Sequence, residues 1–305
     1  MNTEFDYNTR FWNALKYGND NMFHVEDVKH KHLLTNSYAL PSTSSTKYQL
    51  KLGVNSLFRT LATVYKNFSH ENTLWLYDED KIAEWTDSVM TEDDISAHYF
   101  DKYPIKFNKL STLLRVSDDF PKNERFDFED FLLNCFVKRF SKAENHGFLY
   151  GKGEKEPNGL LHDTKGALVS HTTSSLTIDD IYKLFFSIKA EFREHATWMM
   201  NDETYLYLKT LKDKNGQYLL TDSDTLFGKP VVICNEMPSI SDREKPILFG
   251  DFSYYWIVDR KPLSVQPLRE MYSLQGQVGY LAHEFLDAIL TNKEAIKTIQ
   301  LTPKE

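Results

Sequence analysis

RFDFEDFLLNCFVKRFSKAENHGFLYGKGEKEPNGLL, residues 125–161, is the stretch from which the rest of the chain is read. Its first two thirds have helical spacing. Phe128, Phe131, Leu132, Cys135, Phe136, Phe140, Ala143 and Phe148 fall mostly three or four apart, which puts them on one face. Lys138, Arg139, Lys142 and Glu144 fill the gaps between them. At about 1.5 Å per residue, a helix over 125–150 is a rod of roughly 39 Å, long enough to act as a spine. Gly151, Gly153, Pro157 and Gly159 then fall within nine residues and stop it. Gly159 is where the chain can reverse, and Phe136 marks the middle of the apolar face.

The glycine-rich end is not a phosphate loop. Gly147 to Gly151 is one residue short of G-x-x-x-x-G-K-[ST], and Gly153 follows Lys152 where a hydroxyl is required. The loop also lies at a helix C-terminus, where the dipole repels anions.

Outward from the spine, the totals describe an ordinary globular chain. It has 305 residues, 41% hydrophobic and 26% charged, enough for a large core and one to three domains. No apolar run approaches the roughly 18 residues of a membrane span, and MNTEFDYNTR is no signal peptide. Cys135 and Cys234 lie in apolar contexts, which suits buried thiols better than a disulfide. A net charge of −8 argues against a dedicated nucleic-acid binder.

The charge is segregated. Residues 28–70 carry Lys29, Lys31, Lys47, Lys51, Arg59 and Lys66 with no acid, a sum of +6. Residues 70–101 carry ten acids, among them Asp78, Glu79, Asp80, Glu92, Asp93 and Asp94, against Lys81 alone, a sum of −9. The chain's whole negative excess therefore sits in that second segment.

Along the chain, residues 1–46 hold too few apolar residues for a core and read as an arm. Phe11, Trp12 and Leu15 suit one or two helical turns, and TNSYALPSTSST at 35–46 suits a hydroxyl-rich loop. His24, His30 and His32 lack the fourth partner a metal needs and read as part of a basic arm. VNSLFRTLATVYK at 54–66 opens as helix and continues as strand. Leu74 and Leu76 alternate with Trp75 and Tyr77, and Ile105, Phe107, Leu110 and Leu113 form the returning run. The acidic segment between them has no compact apolar face, so this long hairpin needs a partner or a function.

After the spine, TIDDIYKLFFSIKAEF predicts a helix with Thr177 and Asp180 as a capping box and Ile181, Leu184, Phe185, Ile188 and Phe192 on one face. ATWMMN predicts a short buried strand. Asp202 opens a helix through Tyr205, Leu208 and Leu211, and Asn215–Gly216 supplies a turn. Val231–Cys234 predicts a strand, and Leu248 to Val258 continue the sheet. Residues 277–290 suit strand and helix alike. Alternation of this kind indicates an α+β protein.

Helix followed by E-x-x-G-F-L-x-G-x-G-x-x-x-P-x-G-L-L resembles the spine helix and turn of tailed-phage major capsid proteins of the Hong Kong 97 fold. W-M-M-N-D-E-T at 198–204, L-K-D-K-N-G-Q-Y-L at 211–219, T-L-F-G-K-P-V-V at 225–232 and F-G-D-F at 249–252 follow in the family's order. The resemblance implies an N-terminal arm at 1–46 and an extended hairpin loop at 67–104. It implies a peripheral domain from 47–66, 105–155 and 249–305, and an axial domain at 156–248. It also implies a self-assembling icosahedral shell of hexamers and pentamers, located in the virion and built in the host cytoplasm. Scaffolding protein, portal and packaged DNA would be its partners. An encapsulin-like nanocompartment is the alternative on the same fold; a soluble hydrolase or metal enzyme is the alternative of another class.

On that reading Lys29, Lys31 and Lys47 face Asp78, Glu79, Asp80, Glu92, Asp93 and Asp94 of a neighbouring subunit. Some family members join a loop lysine to an asparagine of a neighbour; S-L-Q-G-Q-V around Gly276 offers no asparagine, so a non-covalent shell is expected. Gly151, Gly153, Gly159, Gly216 and Gly228 read as turn positions, Gly228 with Pro230 setting a bend. No nucleophile–base set is visible, and no catalytic, cofactor or metal residue is assigned. His283–Glu284 lacks the second histidine of H-E-x-x-H because Asp287 stands there, and Asp222 and Asp224 suit a polar loop.

Overall fold

The computed structural model describes residues 3–18, 31–32, 37–66, 72–77, 85, 100–123, 125–212, 215–218 and 225–303. The spine is helix α4, Phe128–Tyr150, and it starts later than the apolar spacing suggests because Asp127 caps it. The Asp127 carboxylate accepts the Asp130 N–H at 3.0 Å, and Glu129 and Asp130 suit the positive end of the dipole. Phe128, Leu132, Phe136, Phe140 and Phe148 are fully buried as expected, whereas Phe131, Cys135 and Ala143 are only half-buried. Leu133, Val137 and Leu149 join the buried face, which is therefore wider than a single stripe.

Among the described residues three α-helices precede the spine: α1 (Thr3–Tyr17), α2 (Ser42–Asn55) and α3 (Leu57–Leu61). Two of them correct the expectation of an arm without a core. In α1, Tyr7, Phe11, Trp12 and Leu15 share one core with Phe128, Leu132 and Phe136 of the spine, Trp12 meeting Phe128 edge-on at 6.4 Å between ring centroids. In α2, Ser44, Tyr48 and Leu52 recur every fourth residue and form the buried face. The hydroxyl-rich run thus enters a helix: Thr46 donates back to the Ser42 carbonyl at 2.9 Å, and Trp12 Nε1 donates to Ser44 Oγ at 3.0 Å.

The first sheet backs the spine. Its strands are β1 (Lys31–His32), β2 (Ser37–Ala39), β3 (Thr63–Lys66), β6 (Asn108–Ser117), β12 (Tyr255–Leu268) and β13 (Gln277–Leu290). The order is β1-β2-β12-β13-β6, with β3 parallel to β12 beside β2. Residues 277–290 are strand, paired over their length with β12 on one side and β6 on the other. A separate two-stranded ribbon, β4 (Thr73–Tyr77) with β5 (Phe100–Pro104), pairs Thr73 with Pro104 and Tyr77 with Phe100. The returning strand is therefore residues 100–104; Ile105 and Phe107 lie in the connection to β6.

The second sheet has β7 (Leu168–Thr173), β8 (Thr197–Met200), β9 (Thr225–Leu226), β10 (Lys229–Ile233), β11 (Ile247–Gly250) and β14 (Ile296–Leu301), in the order β7-β14-β11-β8-β10-β9. The final strand joins this sheet rather than the spine's, so residues 249–305 do not stay with the peripheral strands. Helix α5 (Ile178–Ser187) has the capping box of Thr177 and Asp180, ends at Ile188, and is followed by the short α6 (Ala190–Arg193). Helix α7 (Asp202–Lys209) follows β8, capped by Asn201. Trp198 of β8 stacks on Phe249 of β11 at 4.0 Å between centroids, and Phe185 of α5 stacks on Phe249 at 5.4 Å.

The glycines behind the spine hold two backbones together. A side chain at Gly159 would meet the Leu149 carbonyl at 2.4 Å, and one at Gly151 the Pro157 carbonyl at 2.1 Å. Between β9 and β10 the two turn residues Phe227 (φ 53°) and Gly228 (φ 74°) are both left-handed, the geometry of a tight hairpin turn.

Candidate assembly surfaces

A buried charge cluster ties α2 and α3 to the spine and the first sheet. Arg59 of α3 donates from Nε and Nη2 to Glu144 of the spine, at 2.8 and 2.5 Å. Its other edge donates to Asp259 of β12, at 3.1 and 2.8 Å. Burial alone would lower the guanidinium, but the charges of Glu144 and Asp259 outweigh it and hold Arg59 above its ordinary value. Alongside, Tyr48 of α2 donates to Glu284 of β13 at 2.8 Å. Burial, then the charge of Glu144, push Glu284 well above the usual carboxylate range, while Arg59 and the Tyr48 hydrogen bond pull the other way. Apolar spacing alone leaves Glu144 in the gaps between the apolar residues of the spine. Its position was legible, since 136, 140, 144 and 148 form one ladder of four-residue steps.

Two lysines of the basic segment, Lys47 and Lys51, are engaged within the chain. Lys47 Nζ lies 3.0 Å from Glu129, and Lys51 pairs with Asp130 and donates to Asn134 Oδ1 at 2.7 Å. The hydrogen bond to Glu129 raises the Lys47 ammonium, and the one from Lys51 lowers the Asp130 carboxyl. Lys47 thus has its carboxylate on its own spine. Of the other proposed contact residues, Lys29, Asp78, Glu79, Asp80, Glu92, Asp93 and Asp94 lie outside the described residues, and Lys31 is described only as backbone paired with Tyr38.

The ribbon β4–β5 is rooted on the first sheet. Leu74, Ile105 and Val258 form a small core of their own. Tyr103 Oη donates to the Thr291 carbonyl at 3.1 Å, and the Arg260 guanidinium donates to Asn72 Oδ1 at 2.9 Å while lying 4.0 Å over the Phe107 ring. Trp75 is half exposed beneath Lys102. Exposed apolar side chains also gather on the second sheet's helices, at Tyr182, Phe186 and Leu206, and at Met271 and Leu274 between β12 and β13, where Leu274 is fully exposed. Isolated apolar residues are normal on a surface; groups of them mark contact sites.

His283, Glu284, Asp287, Cys135 and Cys234 all lie among the described residues. The described residues hold no group of three histidine, cysteine or acidic side chains able to bind a metal. His283 and Asp287 lie on one strand four residues apart, about 13 Å at the strand rise. Ser111 meets His283 Nδ1 at 2.8 Å, and Asp287 accepts from the Lys106 N–H at 2.6 Å and from Asn108 at 2.9 Å. Both cysteines are free, Cys234 buried and Cys135 half-buried, and Asp222 and Asp224 fall outside the described residues. No helix is long and apolar enough to cross a membrane among the described residues.

A model of the phage capsid family matches residues 36–301. Among solved structures, the capsid of a native GTA particle computed with C5 symmetry superposes with a TM-score of 0.66 at 23% identity, covering 81% of this chain and 90% of that one. The structure of Microbacterium phage Oxtober96 gives a TM-score of 0.56 at 14% identity over 82% and 91% of the two chains. Mycobacterium phage Bobi gives 0.56 at 12% identity over the same shares. No curated protein sequence matches the chain.

Proposed function

This chain belongs to the phage capsid family and is a major capsid protein that forms a shell; we propose that the shell is icosahedral, closed by hexamers and pentamers of this one subunit around packaged DNA. Its place is the virion capsid. The observation that carries this reading is the family match over residues 36–301, joined to a fold that leaves its apolar residues exposed in separate groups. A subunit that meets several neighbours needs several such faces, and many weak contacts repeated over a lattice close it. The C5 symmetry of the GTA capsid supports five-fold rings. The rooted ribbon β4–β5 supports a hairpin that reaches onto a neighbouring subunit, with the second sheet gathered near the symmetry axes. Scaffolding protein and portal are the partners such assembly uses in the host cytoplasm.

The contact proposed for the acidic hairpin is with the N-terminal segment of a neighbour. Lys29 and Lys31 carry that proposal, since Lys47 is held by Glu129. Negative-stain microscopy of the purified protein tests the shell directly. Nucleic acid recovered from native particles separates a genome shell from a nanocompartment, and the capsid likenesses favour the first. Boiled particles should run as monomer; a ladder resistant to reductant would overturn the non-covalent reading. Reversal of Lys29 and Lys31 to Glu should block assembly at low salt while circular dichroism stays unchanged. Normal assembly of that variant would show that the two segments do not meet.

A further inference from the structure

From Phe131 to Gly153 the only acidic residue is Glu144, and it points inward to Arg59. The outward side of the same helix carries Asn134, Lys138, Lys142 and His146, all exposed and each four residues from the next. Four-residue steps put them in one row, about 6 Å apart and roughly 18 Å from end to end. Arg139 stands beside the row. Its guanidinium donates to the Leu113 carbonyl at 2.5 Å and to Thr112 Oγ1 at 3.3 Å, both neutral, so its charge is not cancelled. Among the described residues no carboxylate lies within ion-pair distance of Lys138, Arg139 or Lys142, whereas Lys47 and Lys51 of α2 each pair with a carboxylate nearer the start of the spine, Glu129 and Asp130.

Beside the row is an open groove of about 490 Å³, whose floor is apolar, from Leu110, Phe140 and Ala143, and whose polar groups are Ser111, Thr112, Arg139, Lys142, His146 and Glu236. Glu236 is the one carboxylate in it, and burial raises its carboxyl above the usual range against the pull of His146 and Lys142. Neither the spine nor β6 contributes any of the chain's large exposed apolar side chains; those lie on other elements. Protein interfaces are enriched in aromatic anchors and depleted in lysine. A hydrated row of cations with hydroxyls at its edge is suited instead to a polyanion that stays solvated.

We infer that this row, Lys138, Arg139, Lys142 and His146, is the face of the subunit that lies against the phosphate backbone of the enclosed duplex DNA. The inference rests on the reading that the shell holds DNA. Duplex DNA presents a phosphate charge per ~1.7 Å of axis, so a straight cationic row finds partners in any register and any sequence. The net charge of −8 keeps each contact weak, and repetition over the inner surface sums them.

The test is binding of a 30-base-pair duplex to the full chain, read by fluorescence anisotropy between 50 and 200 mM salt. With three phosphate contacts the wild type should weaken about fortyfold over that range. Lys138→Gln with Lys142→Gln leaves Arg139 and should reduce the loss to about 3.5-fold, since each contact contributes a slope near −0.9. Shell yield of the double variant should stay normal. An unchanged salt slope overturns the inference. So does a folded double variant that no longer assembles while its slope is unchanged, because the row would then be a contact for the acidic hairpin of another copy. Native particles without nucleic acid would instead sink the enclosed-genome reading, a failure seen in the particles and not in the duplex slope.

Discussion

The inner and outer faces of the spine helix both carry charge, and they treat it in opposite ways. Glu144 on the inner face is held on both oxygens by Arg59, which is held in turn by Asp259. Lys138 and Lys142 on the outer face have no carboxylate partner among the described residues. Water solvates an exposed ammonium at no cost to the fold, so the outer charges are free for a partner. A buried carboxylate has no water and must be matched within the chain. The comparison separates what the helix does for the subunit from what it offers to the assembly.

The hardest blow to the inner face is Phe136→Asp. Phe136 is fully buried between the two sides of its core, and an unpaired carboxylate there costs several kcal/mol. Insoluble or unfolded protein is expected, read by soluble yield and circular dichroism. Normal particles from this variant would mean that the face is not sealed.

Glu144→Ala should cost somewhat less, about 3–5 kcal/mol, because Arg59 keeps Asp259 but loses its better-buried partner. The urea midpoint at pH 7 measures it. A shift no larger than that of an exposed pair would show that water reaches the cluster.

Glu284 gives a pH signature. Its folded value is raised by burial and by the Glu144 charge, so the native state holds the proton more tightly than the unfolded chain does. The native state therefore binds more protons above the ordinary carboxylate range, and stability falls as pH rises from there toward the folded value. Below that range the contribution is present in full. Glu284→Gln should remove this decline, raising the melting temperature more at pH 8 than at pH 5 relative to wild type. An equal change at both pH values would mean that Glu284 is ionised throughout.

How far this was visible in the sequence follows the same division. The spine, its capping-box neighbour α5 and the strands at 197–200 and 229–233 were legible, because their patterns are local: apolar spacing, a cap, a run of buried residues; the run from Leu248 to Val258 was legible as strand, but it divides between the two sheets. The N-terminal segment misled for the opposite reason. Helix α1 has Tyr7, Phe11 and Trp12 in helical register, but they look too sparse for a core until the spine supplies the other half. Residues 277–290 are apolar on both faces, since β13 is central in its sheet, and a strand buried on both sides loses its alternation. That β14 crosses to the second sheet is a matter of long-range pairing, which no local pattern encodes. The Arg59 cluster joins residues 85 and 200 positions apart and left only the four-residue ladder as a trace.

The smallest effects belong to the outer face, and they sharpen the comparison most. Lys47→Ala removes a pair to Glu129 whose lysine is 60% exposed, so the loss should lie within about 1 kcal/mol and shrink as salt rises. Lys142→Gln removes a charge that has no carboxylate partner, so stability should change by no more than about 0.5 kcal/mol at any salt concentration. Both lysines are exposed cations beside the spine, Lys47 reaching it from α2 and Lys142 standing on it, and they differ in whether a carboxylate of the chain has already answered them. Urea midpoints at 50 and 500 mM salt distinguish the cases. A salt-dependent loss for Lys47→Ala beside a flat response for Lys142→Gln is the expected pattern. If Lys142→Gln destabilises as much as Lys47→Ala, its ammonium has a partner within the subunit, and the row along the spine is part of the fold rather than a surface held open.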